Sequence, residues 1–250
     1  MAAQHDAEPV RAILLDIEGT TTPINFVYET LFPYARQRIR QFLQEHGDEP
    51  RIREDIAALQ AEHRYDVEGQ LDPPPSSDST QDLGLESATA YALWLMDRDS
   101  KCSPLKSLQG KIWQEGYKKG ELRGEVYPDV PRAFDRWSRQ GKMICIFSSG
   151  SVLAQKLLFG STAAGDLTGF LRAYFDTTVG PKNARGSYSQ IAKTLALDAA
   201  TILFVSDVVK ELDAAREAGM QTILCMRAES TQGAASAHRV IHSFDAIFAA

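Results

Sequence analysis

The sequence has few cysteines, no long apolar run and no excess of basic residues. Its three cysteines form no CxxC pair, and Cys145 and Cys225 stand inside apolar runs, which is typical of buried thiols in a reducing compartment. No apolar run approaches the ~20 residues that span a bilayer. The first residues, MAAQHDAEPVR, lack the charged region and apolar region of a secretory signal. We therefore expect a cytoplasmic protein that does not bind a membrane.

Acidic residues outnumber basic ones, 33 to 27, which gives a formal net charge of −6. Because neutralising phosphates requires clustered lysine and arginine, this balance argues against a nucleic-acid partner. The hydrophobic content of 44% and charged content of 24% are ordinary for a soluble globular protein. A chain of 250 residues can form one large domain or two modest ones.

Four short apolar runs have the composition of parallel strands that are covered on both faces. They are AILLD (12–16), MICIFSS (143–149), TILFVSD (201–207) and TILCM (222–226). Helical patterns separate the last three: SVLAQKLLF, YSQIAKTLAL and VKELDAAREAG. This alternation predicts an α/β fold with a doubly wound parallel sheet and right-handed crossovers.

The stretch between the first two strands has a different character. Residues 26–124 show apolar residues at a spacing of three to four and little strand signal. This pattern predicts a helical domain inserted after the first strand, with residues 1–25 and 125–250 forming the α/β core. A Pro- and Ser-rich segment, 69–83, is predicted to be a loop between helices of the insertion.

Polar residues follow the predicted strands where each strand ends, and one lysine lies in a Pro/Gly loop just before a helix. These residues are Asp16 and Glu18, Ser148 and Ser149, Lys182, and Asp207. Ligands of open parallel sheets bind beyond the carboxyl ends of the strands. We therefore expect these side chains to converge on one edge of the sheet.

The chemistry of this set is restrictive. Neighbouring carboxylates repel one another unless a cation joins them, and ligation by oxygen alone favours Mg²⁺. Serine hydroxyls and free N–H groups at the start of a helix suit phosphate oxygens, and a lysine adds positive charge. An aspartate held against a phosphate can attack phosphorus, and a second carboxylate two residues later can protonate the leaving oxygen and then activate water.

Each residue alone has a simpler structural explanation. An aspartate at a strand end commonly caps a turn or a helix, and Asp207 could cap the helix that starts near Val208. Ser-Ser-Gly before a helix is usually an N-cap, and a loop lysine is usually solvated. His238 and His242 stand four residues apart, as metal ligands on one helix do, but a pair of surface histidines is the simpler interpretation. The combination of strand-end residues, in order, favours a functional site.

The segments DIEGTT, FSSGS, GPKNARGSY and FVSDVVKELDAA resemble the four signature motifs of the haloacid dehalogenase (HAD) superfamily of phosphatases. Most HAD phosphatases carry a second aspartate where this sequence has Glu18. The glutamate variant within DIEGTTTPINFVYETLFPYAR, together with SSGSVLAQKLLFG and FDTTVGPKNARGSY, resembles the enolase-phosphatase subfamily of methionine salvage. The resemblance runs from about residue 12 to residue 227 and includes the inserted helical cap.

The resemblance implies a two-step reaction on a phosphorylated diketone, 2,3-diketo-5-methylthiopentyl-1-phosphate. The diketone is enolised, and the phosphate is then removed to give 1,2-dihydroxy-3-keto-5-methylthiopentene. By matching position, Asp16 is the nucleophile and a ligand of one Mg²⁺ ion, and Glu18 is the acid/base within the metal site. Asp207 completes the Mg²⁺ coordination, the two serines contact the phosphate, and Lys182 orients it.

Other functions remain open at this point. The residues themselves support dephosphorylation better than enolisation, for which Glu18 is the leading candidate base. Alternatives are a HAD phosphatase for another small phosphate ester and a haloacid dehalogenase, which needs no Mg²⁺. A phosphoacceptor receiver module also gathers carboxylates and a lysine at strand ends, but it is shorter and has no large insertion. We expect a monomer.

Overall fold

The computed structural model describes residues 9–75, 84–227 and 237–249. The chain divides into two compact units, one made of Met1–Phe26 and Arg123–Ala250, the other of Val27–Leu122. The described part of the predicted loop, 69–75, has turn and irregular backbone, and residues 76–83 lie outside the described residues. No helix in the described ranges is both long and apolar enough to cross a bilayer.

The second unit is built from helices that follow a π-helical segment, Phe26–Leu31. The α-helices are α1 Phe32–His46, α2 Pro50–Glu68, α3 Leu85–Asp97 and α4 Ser103–Lys118. Pro33 stands in the first turn of α1, where its missing N–H is least costly. Buried side chains such as Ile39, Leu59 and Leu108 fill the interior of this unit.

The first unit contains a parallel sheet with the strand order β3-β2-β1-β4-β5-β6. The strands are β1 Ala12–Leu15, β2 Met143–Phe147, β3 Leu171–Phe175, β4 Ile202–Ser206, β5 Gln221–Cys225 and β6 Arg239–Ile241. Every pairing within the sheet is parallel. All four residues of β1 are buried, as expected for a central strand. The prediction of a doubly wound α/β sheet is confirmed.

Helices cover both faces of this sheet. They are α5 Asp129–Arg139, α6 Val152–Gly160, α7 Arg185–Leu195 and α8 Val209–Glu217. One buried layer joins the sheet to α7 and α8 and includes Tyr188 and Leu212. In a separate aromatic cluster, the ring of Phe134 contacts those of Trp137 and Phe159. The apolar composition of the central strands follows from this two-sided cover.

Strands β3 and β6 were not predicted, and both lie at edges of the sheet. Arg172 is exposed and interrupts the apolar run of β3, while two of the three residues of β6 are exposed. His238 and His242 flank β6, so the interpretation that places them on one helix is wrong. His238 is buried, and its Nδ1 lies 2.7 Å from Thr222 Oγ1. The interpretation of His238 and His242 as a pair of surface histidines is therefore also wrong.

Candidate active site

Asp16 stands at the middle of the carboxyl edge of the sheet. It directly follows β1, whose last residue, Leu15, is level with Ile146 of β2 and Val205 of β4. The N–H of Asp16 donates to the Val205 carbonyl at 3.0 Å, which continues the β4 ladder for one more residue. The residue is only 4% exposed. The central strand therefore delivers a buried carboxylate to the edge where ligands of parallel sheets bind.

A tight turn follows Asp16 and carries Glu18 and Gly19. The carbonyl of Ile17 accepts hydrogen bonds from the N–H groups of Thr20, Thr21 and Thr22 at 3.2, 2.9 and 2.9 Å. Gly19 has φ +71°, in the left-handed region that favours glycine. These bonds satisfy the buried backbone and fix the path of the chain next to the carboxylate.

Lys182 lies against Asp16, although 166 residues separate them in sequence. Its Nζ is 2.5 Å from Asp16 Oδ1 and 2.8 Å from Glu211 Oε2, and all three side chains are largely buried. Burial by itself would lower the pKa of Lys182, but attraction to Asp16 and Glu211 outweighs burial and raises it. The lysine therefore stays charged beside the candidate nucleophile.

The hydroxyl of Ser206, the last residue of β4, joins the two carboxylates that flank Lys182. It lies 3.2 Å from Asp16 Oδ2 and 3.0 Å from Glu211 Oε2, and its single proton serves one of them at a time. Asp16 Oδ1 already accepts from Lys182 and from the N–H of Ile17 at 2.8 Å. The Oδ2 atom of Asp16 thus accepts fewer hydrogen bonds than Oδ1.

Glu211 was not among the predicted site residues. It stands in the first turn of α8, where an acidic residue is favourable for any helix because of the helix dipole. Its position therefore has an ordinary local explanation, and the sequence holds no signal for its contact with Lys182. Burial, followed by repulsion from Asp16, raises the pKa of Glu211 to about 7.

Asp207 is not a helix cap, which excludes the simpler explanation of this residue. The N-cap of α8 is Val208, with no side-chain cap hydrogen bond. The Oδ1 atom of Asp207 is buried and has no hydrogen-bond partner among the described residues. Burial and then the negative charge of Asp16 raise the pKa of Asp207 to about 7, and Glu18 adds to the effect. A buried carboxylate oxygen without a partner indicates that a ligand belongs there.

The two predicted serines follow β2 and are not the N-cap of the next helix. That cap is Ser151, whose Oγ accepts from the N–H of Ala154 at 3.3 Å. Ser148 is buried, and its Oγ accepts from the N–H of Gly150 at 3.1 Å. The polar loop between β2 and α6 therefore leads from Ser148 and Ser149 directly to a capped helix start. Contact of these two serines with phosphate stays a prediction.

The donor set suits Mg²⁺ more than a softer metal. The carboxylates of Asp16 and Glu18 act electrostatically on Asp207, whose Oδ1 is unpartnered, and carboxylate oxygens are ligands that Mg²⁺ prefers. Within the described ranges, no group of three or more His, Cys, Asp or Glu side chains is arranged so that it could hold a metal ion by itself. Mg²⁺ typically keeps several waters and shares a substrate phosphate, so it needs only one or two carboxylates from the protein.

Comparisons with known proteins agree with the motifs. The family model of the haloacid dehalogenase-like hydrolases matches residues 10–219. The chain is 46% identical to the enolase-phosphatase E1 of Synechococcus elongatus over 236 residues, which are 94% of this chain and 97% of that protein. It is 42% identical to the enolase-phosphatase E1 of Drosophila willistoni over 241 residues, 95% of this chain and 96% of that protein.

A solved structure is similar over the same extent. The UTR4 protein of Saccharomyces cerevisiae matches with a TM-score of 0.75 and 33% identity, over 95% of this chain and 100% of that chain. The family match spans every strand-end residue predicted for the site, from Asp16 to Asp207. The resemblance indicated by the four motifs is thereby confirmed. The chain belongs to the haloacid dehalogenase-like hydrolases and, within them, to the enolase-phosphatase E1 family.

Proposed function

We propose that the protein is a bifunctional enolase-phosphatase, an acireductone synthase of methionine salvage. It enolises 2,3-diketo-5-methylthiopentyl-1-phosphate and then removes the phosphate to give 1,2-dihydroxy-3-keto-5-methylthiopentene. The observation that carries the proposal is the buried Asp16 carboxylate, held by Lys182 at 2.5 Å beside the unpartnered Oδ1 of Asp207. The identity of 46% over 94% of the chain to an enolase-phosphatase E1 supports the choice of reaction within the superfamily.

In the phosphatase step, a carboxylate oxygen of Asp16 attacks phosphorus. The bond between phosphorus and the substrate oxygen breaks, and the carboxyl proton of Glu18 passes to that leaving oxygen. An aspartyl phosphate forms on Asp16. The Glu18 carboxylate then takes a proton from a water molecule, which attacks phosphorus, releases phosphate and restores Asp16. Lys182 offsets the negative charge of the nucleophile and of the phosphate throughout.

In the enolase step, a base removes a proton from the carbon beside a carbonyl and returns that proton to the carbonyl oxygen, which completes the enol. Glu18 is our candidate for the base. Its side chain is one methylene longer than the aspartate that most HAD phosphatases carry at this position. That extra length lets one carboxylate serve two different atoms of the substrate.

The residues that would hold one Mg²⁺ are Asp16 and Asp207, with Glu18 in the same site. When bound, Mg²⁺ supplies positive charge that stabilises the enolate oxygen and the phosphate oxygens. Asp207 has a raised pKa and an unpartnered oxygen, both of which support a role in binding a cation. The helical insertion, predicted over 26–124, is the proposed cap, and its role is to exclude water during enolisation.

We also propose that the enzyme is monomeric and cytoplasmic. It binds one Mg²⁺ per subunit and has no nucleic-acid or membrane partner. The net charge of −6 supports the exclusion of nucleic acid. Light scattering after size-exclusion chromatography tests the oligomeric state, because a dimer would have twice the mass of the 27.6 kDa chain.

The decisive experiment follows enol absorbance and free phosphate in one reaction containing the diketone phosphate and Mg²⁺. We expect both signals from the wild-type protein and no phosphate from Asp16→Asn, since the amide is not a nucleophile. Any enol signal that persists in the variant reports enolisation alone. If the wild type hydrolyses simple phosphate esters but never enolises the diketone, the assignment to methionine salvage is wrong and only the phosphatase assignment stands.

A further inference from the structure

Arg227 is a buried arginine with no part in the site described above. It follows β5 by two residues, and its side chain is only 6% exposed. Its Nη1 lies 2.7 Å from Asp129 Oδ2, whose side chain is equally buried. A guanidinium in the interior is stable only when charge and hydrogen bonds are both satisfied. The partners of Arg227 therefore identify what this buried charge holds in place.

Two of the hydrogen bonds of Arg227 go to the turn that follows Asp16. The Nε and Nη2 atoms both donate to the carbonyl oxygen of Thr20, at 3.0 and 2.7 Å. Thr20 lies between Gly19, which packs against the Asp207 carboxylate, and Thr21, whose hydroxyl donates to the Asp16 carbonyl at 3.1 Å. The guanidinium thus holds the residue of the turn whose two neighbours contact the proposed metal ligand and the proposed nucleophile.

The guanidinium is itself fixed from several directions. The rings of Tyr127 and Phe244 lie 4.2 and 4.7 Å from its central carbon, within the range of cation–π contacts. Asp129 Oδ2 accepts not only from Arg227 but also from the Ser243 hydroxyl at 3.0 Å and the Phe244 N–H at 2.6 Å. The chain after β6 and the start of α5 therefore hold Arg227 against the turn.

We propose that Arg227 is a positioning residue for phosphate release: it holds the Thr20 carbonyl so that the turn from Asp16 to Gly19 keeps the nucleophile and Asp207 facing the same ligand. This inference rests on the proposed phosphatase function. It also assigns a structural role to the C-terminal segment 237–249, because Ser243 and Phe244 donate hydrogen bonds to Asp129, which pairs with Arg227.

A lysine at position 227 cannot reproduce this contact. Its ammonium is a single point of charge, whereas the guanidinium fork presents parallel N–H groups to Thr20 and a further one to Asp129. The molecule offers a matched control in Arg132, whose Nη2 pairs with Asp245 Oδ2 at 2.8 Å and whose Nη1 donates to the Pro128 carbonyl at 2.8 Å. Both partners lie near those of Arg227, but Arg132 has no hydrogen bond to the turn among the described contacts.

The test compares Arg227→Lys and Arg227→Ala with Arg132→Lys and Arg132→Ala. Steady-state phosphate release from a simple ester is measured with saturating Mg²⁺, well below the melting temperature of every variant. We expect the Arg227 variants to lose about 10- to 100-fold in kcat with KM changed less than about threefold, since misplacing a reacting group by about 1 Å has an effect of this size. Guanidinium ion should restore part of the kcat of Arg227→Ala and have no effect on Arg132→Ala.

Hydrogen exchange provides a readout independent of activity. The N–H groups of residues 19–22 are hydrogen-bonded within the turn, so we expect faster exchange there in Arg227→Lys and unchanged exchange in α7. If the Arg227 variants retain kcat within about twofold, or if their loss only follows a lower melting temperature without guanidinium rescue, the inference is overturned. If Arg227→Ala does not fold, Arg227→Lys decides through kcat and exchange. A wild-type protein without phosphatase activity would instead refute the proposed function.

Discussion

The main chain of Gly19 lies directly against the Asp207 carboxylate. A Cβ atom at position 19 would come within 2.3 Å of Asp207 Oδ2 and 2.8 Å of its Cγ. Gly19 also has φ +71°, a conformation that L side chains rarely adopt. Two independent constraints, conformation and space, therefore favour glycine in this turn, which follows the proposed nucleophile and packs against the proposed metal ligand.

Replacing Gly19 with alanine should move Asp207 and impair the site. We expect Gly19→Ala to lower the kcat/KM of phosphate release by about 100-fold, because the added methyl group displaces a carboxylate that must face Mg²⁺. The Mg²⁺ concentration for half-maximal activity should rise about tenfold. A Mg²⁺ titration of phosphate release measures both effects.

The control variant Gly141→Ala distinguishes the effect of the contact with Asp207 from the effect of backbone strain at a positive φ. Gly141 has φ +69°, but no atom lies within 4 Å of a Cβ built there. Both variants therefore carry a similar conformational cost of about 1 kcal/mol, and only Gly19→Ala meets a carboxylate. Equal activity in the two variants would show that the contact between Gly19 and Asp207 has no catalytic importance.

Glu211 should support catalysis through Lys182. In Glu211→Gln the lysine loses one of its two carboxylate neighbours, and Ser206 loses a charged acceptor. We expect kcat for phosphate release to fall about tenfold, the usual scale for residues that orient a catalytic group. Glu217→Gln makes the same chemical change at an exposed position on the same helix and should retain wild-type kcat. A normal kcat in Glu211→Gln contradicts the prediction.

The length of Glu18 should matter more for enolisation than for phosphate release. We expect Glu18→Asp to slow enol formation about tenfold or more, since the shortened carboxylate no longer reaches the carbon acid. Phosphate release from a simple ester should fall less. Glu18→Gln removes the acid/base altogether and should slow both steps by about 100-fold or more. The hypothesis fails if Glu18→Asp carries out both steps at wild-type rates.

His46 should make the stability of the helical unit depend on pH. Its ring lies between two carboxylates, with Nδ1 2.6 Å from Glu49 and Nε2 2.8 Å from Glu115. The hydrogen bond to Glu49, followed by the attraction of Glu115, raises its pKa above the ordinary value of 6.5. Protonated His46 therefore contributes stability that is fully present below pH 6.5 and is lost as pH rises through the raised pKa.

The contribution is small because these side chains are partly solvated. We expect about 0.5 kcal/mol between about pH 5.5 and about pH 8.5, measured as the difference in unfolding free energy between wild type and His46→Gln in urea. His242→Gln is the control, since its Nδ1 faces the Met226 carbonyl and no carboxylate among the described contacts. A difference between wild type and His46→Gln that stays constant over this pH range would refute the prediction.

Local sequence was sufficient to predict the central strands and the residues that follow them. β1, β2, β4 and β5 are continuous apolar runs because both faces of a central parallel strand are covered. Asp16 and Asp207 end such runs, so the sequence alone indicated that they lie at the carboxyl edge. The edge strands β3 and β6 have one side without a neighbouring strand. Exposed residues such as Arg172 and Arg239 interrupt their pattern, and this concealed them.

The sequence by itself determined the α/β core and the positions of Asp16, Ser148 and Asp207 directly after its strands, because each follows from a pattern within a few residues. The helical insertion and the role of Glu18 were predicted in the same way. Tertiary structure alone decided that Glu211 shares Lys182 with Asp16 and that Arg227 holds Thr20, 207 residues away in sequence. An acidic residue in a first helical turn and an arginine after a strand are ordinary features of sequences. Their roles depend on which distant groups are buried beside them, and only the folded chain brings those groups together.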